Sequence, residues 1–207
     1  MAETSIYGNF TETLFAVKKK LEFEILAWNE AAEQRGEHKC FEHLTSRVKT
    51  EYSMRDKLRR RGLEETTENA LYRLTDAIGL RIVTRFVDDI YRVREKLAAL
   101  PGVEIAEEKD YIQNVKPSGY RSLHLILRCE TEEADFYGRV PGQFFAEVQI
   151  RTIAMDSWAS LEHEMHYKRE GGNRALIAAE LKHVADDLAS CDLSMQTIRN
   201  MIRKEEA

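Results

Sequence analysis

In the run Phe144-Phe145-Ala146-Glu147-Val148-Gln149-Ile150-Arg151, polar and apolar residues alternate. Successive side chains of a strand point to opposite faces. Phe144, Ala146, Val148 and Ile150 can therefore pack on a core, while Glu147, Gln149 and Arg151 line the other face beside Phe145. A carboxylate, an amide and a guanidinium in a row suit a polar, charged ligand; a solvated strand face is the plain alternative.

Three further clusters share that character. Arg47 and Lys49 precede Ser53, Lys57 and Arg60, whose i, i+4, i+7 spacing puts a hydroxyl, an ammonium and a guanidinium on one helix face. Such a set suits a polyphosphate, with Arg giving bidentate contacts. Asp76 stands before a β-branched stretch with Gly79 and Arg81 behind it, as a metal-binding or catalytic carboxylate at a strand mouth or as a turn residue. Lys116-Pro117-Ser118-Gly119-Tyr120-Arg121-Ser122-Leu123-His124 reads as a turn leading into a strand. Tyr120 is placed to stack on a base, a contact worth about 1–3 kcal/mol, and Ser122 and His124 share a strand face.

Two carboxylates and many cations, with no nucleophilic Cys or Ser motif, point to metal-assisted phosphoryl transfer. That chemistry asks the protein mainly for positioning and charge neutralisation. Asp76 and Glu147 could hold Mg²⁺, which typically takes one or two carboxylates plus substrate phosphates. Two zinc-like groupings are poorer. His163-Glu164-Met165-His166 spaces its histidines by three rather than four, and His38-Lys39-Cys40 with His43 lacks a companion cluster.

The elements that must position these groups are legible from periodicity. Phe10, Leu14, Val17, Leu21, Ile25 and Trp28 predict an amphipathic helix over residues 9–34, ending near Gly36. Helices are expected over 46–61, stopped by Gly62, and over 67–74. A strand over 78–87 is followed by a helix from Asp88-Asp89 to Leu100, ended by Pro101-Gly102. Strands at about 103–108, 121–129 and 143–151 precede helices at 153–168 and 174–203, separated by Gly171-Gly172. The order implies an α/β (α+β) fold, a mixed sheet of about five strands flanked by helices. Ile177, Leu181, Val184, Leu188, Cys191, Met195, Ile198 and Ile202 recur at alternating spacings of four and three, a heptad seam. Packing between subunits is the favoured use of this seam, and packing on the N-terminal helix the alternative.

At 207 residues and 43% apolar content, one domain over 1–207 is expected, with a catalytic core at about 45–168 and helical extensions at 9–36 and 174–203. No apolar run approaches a membrane span, and Met1-Ala2-Glu3-Thr4-Ser5 lacks a signal-peptide pattern, which points to the cytoplasm. Cys40, Cys129 and Cys191, odd in number and widely spaced, fit reduced thiols. The net charge of −5 disfavours nonspecific nucleic-acid binding, yet residues 47–61 carry seven basic residues against two acidic ones.

Taken in order, these motifs resemble the nucleotidyltransferase-like synthetase domain of the RelA/SpoT family, specifically its small alarmone synthetases, over residues 47–168. The matching segments are Arg-Val-Lys with the downstream Ser-x-x-x-Lys, Asp-Ala-Ile-Gly-Leu-Arg-Ile, Lys-Asp-Tyr-Ile with Lys-Pro-Ser-Gly-Tyr-Arg-Ser-Leu-His, and Glu-Val-Gln-Ile-Arg-Thr followed by Trp158-Ala159 and Glu162-His163. The resemblance implies transfer of pyrophosphate from ATP to the 3′-hydroxyl of GTP or GDP, giving (p)ppGpp and AMP. It would assign ATP to Arg47, Lys49, Ser53, Lys57, Arg60 and Arg81. It would assign the acceptor to Lys109, Lys116, Tyr120, His124, Gln149 and Arg151, with Tyr120 stacking on guanine. Asp76 and Glu147 would hold Mg²⁺, and Glu147 would also activate the 3′-hydroxyl. Arg151 has two possible uses, as a phosphate ligand or as the partner that orients Glu147. Glu107 stands where the family often has a basic residue, which bears on the choice between GTP and GDP. The resemblance also implies a homotetramer built through terminal helices. RNA enters as a possible regulator or as an alternative acceptor, a tRNA 3′-CCA end, which Lys18-Lys19-Lys20 could contact; a non-catalytic guanine-nucleotide sensor is a further alternative. His43 and Asp156 are unlike the pattern of members activated by alarmone, so strong activation is not implied.

Overall fold

The computed structural model describes residues 5–167 and 174–205. The expected helix end at Lys168 and the Gly171-Gly172 break lie outside the described residues. Five strands, β1 (His43–Val48), β2 (Ile78–Thr84), β3 (Val103–Asp110), β4 (Leu123–Thr131) and β5 (Gly142–Thr152), form one sheet in the order β1-β2-β5-β4-β3. The central β2–β5 pair is parallel and the other three pairs are antiparallel, so the mixed five-stranded sheet is the one expected.

Alternation decides which face is buried. Phe144, Ala146, Val148 and Ile150 of β5 are at most 1% exposed, and they join Ile78, Leu80 and Ile82 of β2 and Leu123, Leu125 and Leu127 of β4 in one core. The helix α1 (Thr11–Gln34) adds Leu14, Val17, Leu21 and Ile25 to that core. After α2 (Glu51–Arg60), the helix α3 (Val87–Ala98) adds Ile90, Val93 and Leu97. Burying each such side chain stabilises the fold by about 1.5–3 kcal/mol. The chain closes with α4 (Ile153–Tyr167) and α5 (Arg174–Glu205).

Residues 46–61 are not one helix. Arg47 and Val48 belong to β1, where they pair with Gly79 and Ile78. The side chain of Thr50 then caps α2, its hydroxyl accepting from the Ser53 N–H at 3.3 Å. Leu44, Ser46 and Val48 alternate with exposed neighbours, and the ladder to β2 outweighs the helical preference of the cations that follow. Residues 69–73 form a π-helical turn. β2 ends at Thr84, three residues before the expected end at Val87, and the other described boundaries lie within two residues of expectation, the usual uncertainty of element ends. A bulge between Ile105 and Glu107 also shifts the β3 register.

The seam on α5 is only partly covered within the chain, at Leu181 and Leu188. Besides Leu181 the helix buries Ala185, Asp192 and Gln196, while the seam residues Val184, Met195, Ile198 and Ile202 are 44–52% exposed.

Candidate active site

Register turns scattered motifs into two rows across the uncovered sheet face. One row runs Arg47, Gly79, Glu147, Ile126, Glu107 from β1 to β3, and the next runs Thr45, Arg81, Gln149, His124, Lys109. Paired residues on neighbouring strands project to the same face, so the donor-side cations and the acceptor-side groups flank Glu147. A cavity of about 310 Å³ opens over the β1 side, lined by Thr45, Arg47, Lys49, Asp76, Arg81, Glu147 and Gln149 among others.

Asp76 sits just before β2, close under α2. Its Oδ2 accepts hydrogen bonds from Lys49 and from Lys57, the latter at 2.7 Å. Burial alone would raise this carboxyl, yet the two ammonium groups hold it below its ordinary value. Lys49, buried and sharing its partner with Lys57, is pulled down by desolvation. Oδ1 of Asp76 is buried with no hydrogen-bond partner. An ionised oxygen left in that state is costly, and a cation would satisfy it.

On the acceptor side a chain of polar contacts ends at Glu147. Arg151 Nη2 donates to the Tyr120 hydroxyl at 2.7 Å, and that hydroxyl lies 2.8 Å from Nε2 of His124. With the arginine donating into the oxygen, we assign Nε2 as the acceptor of the Tyr120 proton. This places the His124 ring proton on Nδ1, 3.4 Å from Oε1 of Glu147. The contact holds the Glu147 carboxyl below its ordinary value against the effect of burial. Tyr111 and Tyr120 stand edge to face, centroids 6.1 Å apart, with the Lys116 ammonium 4.2 and 4.9 Å from the two ring centres. The aromatic pair and its cation form a surface suited to a base with phosphates attached.

The sequence-predicted residues divide accordingly. Arg47, Lys49, Asp76, Arg81, Glu147 and Gln149 share the cavity, and Lys57 joins them through Asp76. Ser53 instead shares a bond with Thr50 at 2.9 Å, and Arg60 pairs with Asp56 at 3.0 Å. Lys109 lies on the outer strand, paired with Glu107 at 2.8 Å. The Arg151 guanidinium is committed to Tyr120, Gln149, Ser122 and Asp156, so its bonds orient Tyr120 and Gln149 directly and reach Glu147 only through Tyr120 and His124. Tyr111 and Asp156 were not singled out from sequence as site residues. Asp156 accepts from Arg151 at 3.0 Å and lies 3.4 Å from Arg81, so it links Arg81 of the second row to Arg151, which lies further along β5. Its place in the first turn of α4 was the available signal.

The model for a region found in RelA and SpoT proteins matches residues 46–172. GTP pyrophosphokinase YwaC of Bacillus subtilis (strain 168) is 41% identical over 165 residues, which span 80% of this chain and 77% of that one. GTP pyrophosphokinase YjbM of the same organism is 33% identical over 175 residues, spanning 84% and 80%. A structure described as the small alarmone synthetase 1 from Bacillus subtilis bound to its product pppGpp superposes with a TM-score of 0.80 at 29% identity, covering 94% of this chain and 96% of that one. Asp76, Glu147 and the Tyr120 turn lie inside the matched region, and the chain belongs to the RelA/SpoT family.

Proposed function

We propose that this protein is a GTP pyrophosphokinase: it transfers the β,γ-pyrophosphoryl group of ATP to the 3′-hydroxyl of GTP or GDP, giving (p)ppGpp and AMP. The observation that carries this reading is the place of Glu147, which shares a cavity with Arg47, Lys49, Arg81 and Asp76 on one side and meets His124 and the Tyr120 surface on the other. One carboxylate thus faces both a polyphosphate site and a base-stacking site.

In this reading Arg47, Lys49, Lys57 and Arg81 neutralise the donor triphosphate, and Ser53 and Arg60 meet it only by leaving their present partners. Tyr120 and Tyr111 hold guanine, Lys116 meets acceptor phosphates, His124 meets them only by leaving Tyr120 or Glu147, and Gln149 fixes the ribose. Glu147 accepts the proton as the 3′-oxygen attacks the β-phosphorus. The bond from that phosphorus to the α,β-bridging oxygen breaks, and AMP leaves with the oxygen. Because His124 favours the ionised form of Glu147, the base is ready at neutral pH.

The residues fit a divalent cation. The unpartnered Asp76 Oδ1 and the Glu147 carboxylate would hold Mg²⁺, which when bound supplies charge neutralisation at the transferring phosphates. Among the described residues no group of three or more His, Cys, Asp or Glu could hold a metal, so phosphate and water oxygens would complete the shell.

Lys109 meets the acceptor with part of its charge already offset by Glu107, which favours the acceptor with fewer phosphates, GDP. The exposed α5 seam supports self-association as a homotetramer, testable by light scattering. Lys18 of the basic triplet is held by Glu22 at 2.9 Å and Ser46 at 3.1 Å, which turns it away from an RNA backbone. The test is a turnover assay with ATP, Mg²⁺ and each of GTP, GDP, GMP and tRNA. AMP release with a 3′-pyrophosphorylated guanine nucleotide is expected; label appearing on tRNA alone, or nucleotide binding without AMP, would overturn the reading.

A further inference from the structure

The turn that carries Tyr120 is fastened to α5 as well as to the sheet. Gly119, at φ +89°, lies so close to the helix that a Cβ there would stand 2.5 Å from the Ala185 Cβ. The next side chain but one closes the junction. Arg121 Nη1 donates to the carbonyls of Gly119 and Ala185, both at 3.1 Å, and Nη2 donates to Oδ1 of Asp186 at 3.0 Å. A guanidinium is suited to such a three-way fork because its donors lie in one fixed plane. Trp158 donates to the Leu181 carbonyl at 2.8 Å. With Leu181 and Ala185 it forms a small apolar cluster, separate from the main core, against which Tyr120 packs. The wall behind the stacking ring is therefore made by Trp158 of α4 with Leu181 and Ala185 of α5.

We infer that Arg121 is a positioning residue for the acceptor nucleotide: it latches the Gly119–Tyr120 turn to α5 and so sets acceptor affinity from that helix. This rests on the reading of Tyr120 as the acceptor's stacking surface. Arg121 touches neither the Asp76 cluster nor Glu147; its bonds go to the turn and to α5. Its loss therefore weakens acceptor binding and leaves the donor site intact. Val184 and Leu188 of the seam share these helical turns, so a partner packed on the seam would bear directly on the latch.

The experiment is steady-state kinetics with ATP and the guanine acceptor varied separately, on wild type and on Arg121→Ala, Arg121→Lys, Asp186→Asn and Tyr120→Ala. Arg121→Ala should raise the acceptor KM about tenfold, as expected for losing charged hydrogen bonds that seat a stacking ring, with kcat and the ATP KM within about twofold. Asp186→Asn, at a more exposed partner, should raise it about two- to fourfold, and Arg121→Lys should fall between, keeping charge without the fork. An unchanged acceptor KM in Arg121→Ala, with a raised one in Tyr120→Ala, overturns the latch alone. An unchanged acceptor KM in Tyr120→Ala overturns the stacking reading instead. Circular dichroism checks folding; should Arg121→Ala fail to fold, unchanged acceptor KM values in both Arg121→Lys and Asp186→Asn overturn the proposal.

Discussion

Nδ1 of His124 lies 3.4 Å from Oε1 of Glu147, on adjacent antiparallel strands. The hydrogen bond favours the ionised carboxylate, so the folded Glu147 titrates below its ordinary value. A general base held this way stays competent as the pH drops. Replacing His124 with Leu removes the donor and leaves burial, which acts in the opposite direction. The acid limb of the kcat–pH profile, measured at saturating substrates, should then move to higher pH in His124→Leu. A limb that stays in place would show that Glu147 does not control it.

Asp76 supports a second prediction, about stability. Its folded value is depressed by Lys49 and Lys57 despite burial, so the stability it contributes is fully present above the unfolded value, at about pH 4 and higher. That contribution is lost as the pH falls through the lower folded value. Lys49→Met removes one of two partners from a carboxylate whose side chain is 11% exposed, and should cost about 2–3 kcal/mol at pH 7. Urea unfolding from pH 7 downward measures this. The gap to wild type should narrow once the pH drops below the ordinary carboxylate range, and a constant gap would assign the loss to packing.

Much of this site was legible because alternation is a local property. The run from Phe144 to Arg151 states which side chains face the core before any partner is known, and Ile78, Leu80 and Ile82 do the same for β2. Register is not local. Nothing near Arg47 says that Gly79 and Glu147 lie beside it, and the surrounding cations read as helical until Thr50 is recognised as the cap. The α5 helix misleads for another reason. Beyond Leu181 and Leu188 its apolar seam marks a face the chain leaves exposed, while the face it buries carries Asp192 and Gln196. Asp192 accepts from the buried Thr152 hydroxyl at 2.6 Å, and Gln196 from the Asp88 N–H at 3.3 Å. Buried polar pairs of this kind are invisible to hydrophobic periodicity.

The Tyr120 ring and its hydroxyl make separable contributions. The ring packs against Tyr111, Trp158 and the α5 wall, whereas the hydroxyl joins Arg151 to His124. Tyr120→Phe keeps the stacking surface and leaves the Arg151 donor one acceptor short. It should lower kcat/KM for the acceptor about fivefold, the scale of one hydrogen bond to a charged group. Tyr120→Ala loses the stack as well and should fall about 10- to 100-fold further. Equal effects in the two variants would mean that the hydroxyl network, and not stacking, sets acceptor recognition.

Gly79 separates stability from activity. It sits in β2 between Arg47 and Glu147, and a Cβ built on it meets no atom within 4 Å. Its backbone is ordinary extended strand, so no left-handed conformation demands glycine there. Glycine inside a strand typically costs about 0.5–1 kcal/mol relative to a residue with a side chain. Gly79→Val should therefore keep or slightly raise the melting temperature, because a β-branched side chain suits the pleated surface. The same methyl groups would project into the cavity where the triphosphate must pass between the donor cations and Glu147. Activity should fall at least about 100-fold, the loss expected when reacting groups are displaced by an ångström or more. Calorimetry and turnover on one preparation give both readouts. A variant that is stable and fully active would mean that the donor phosphates do not cross this strand.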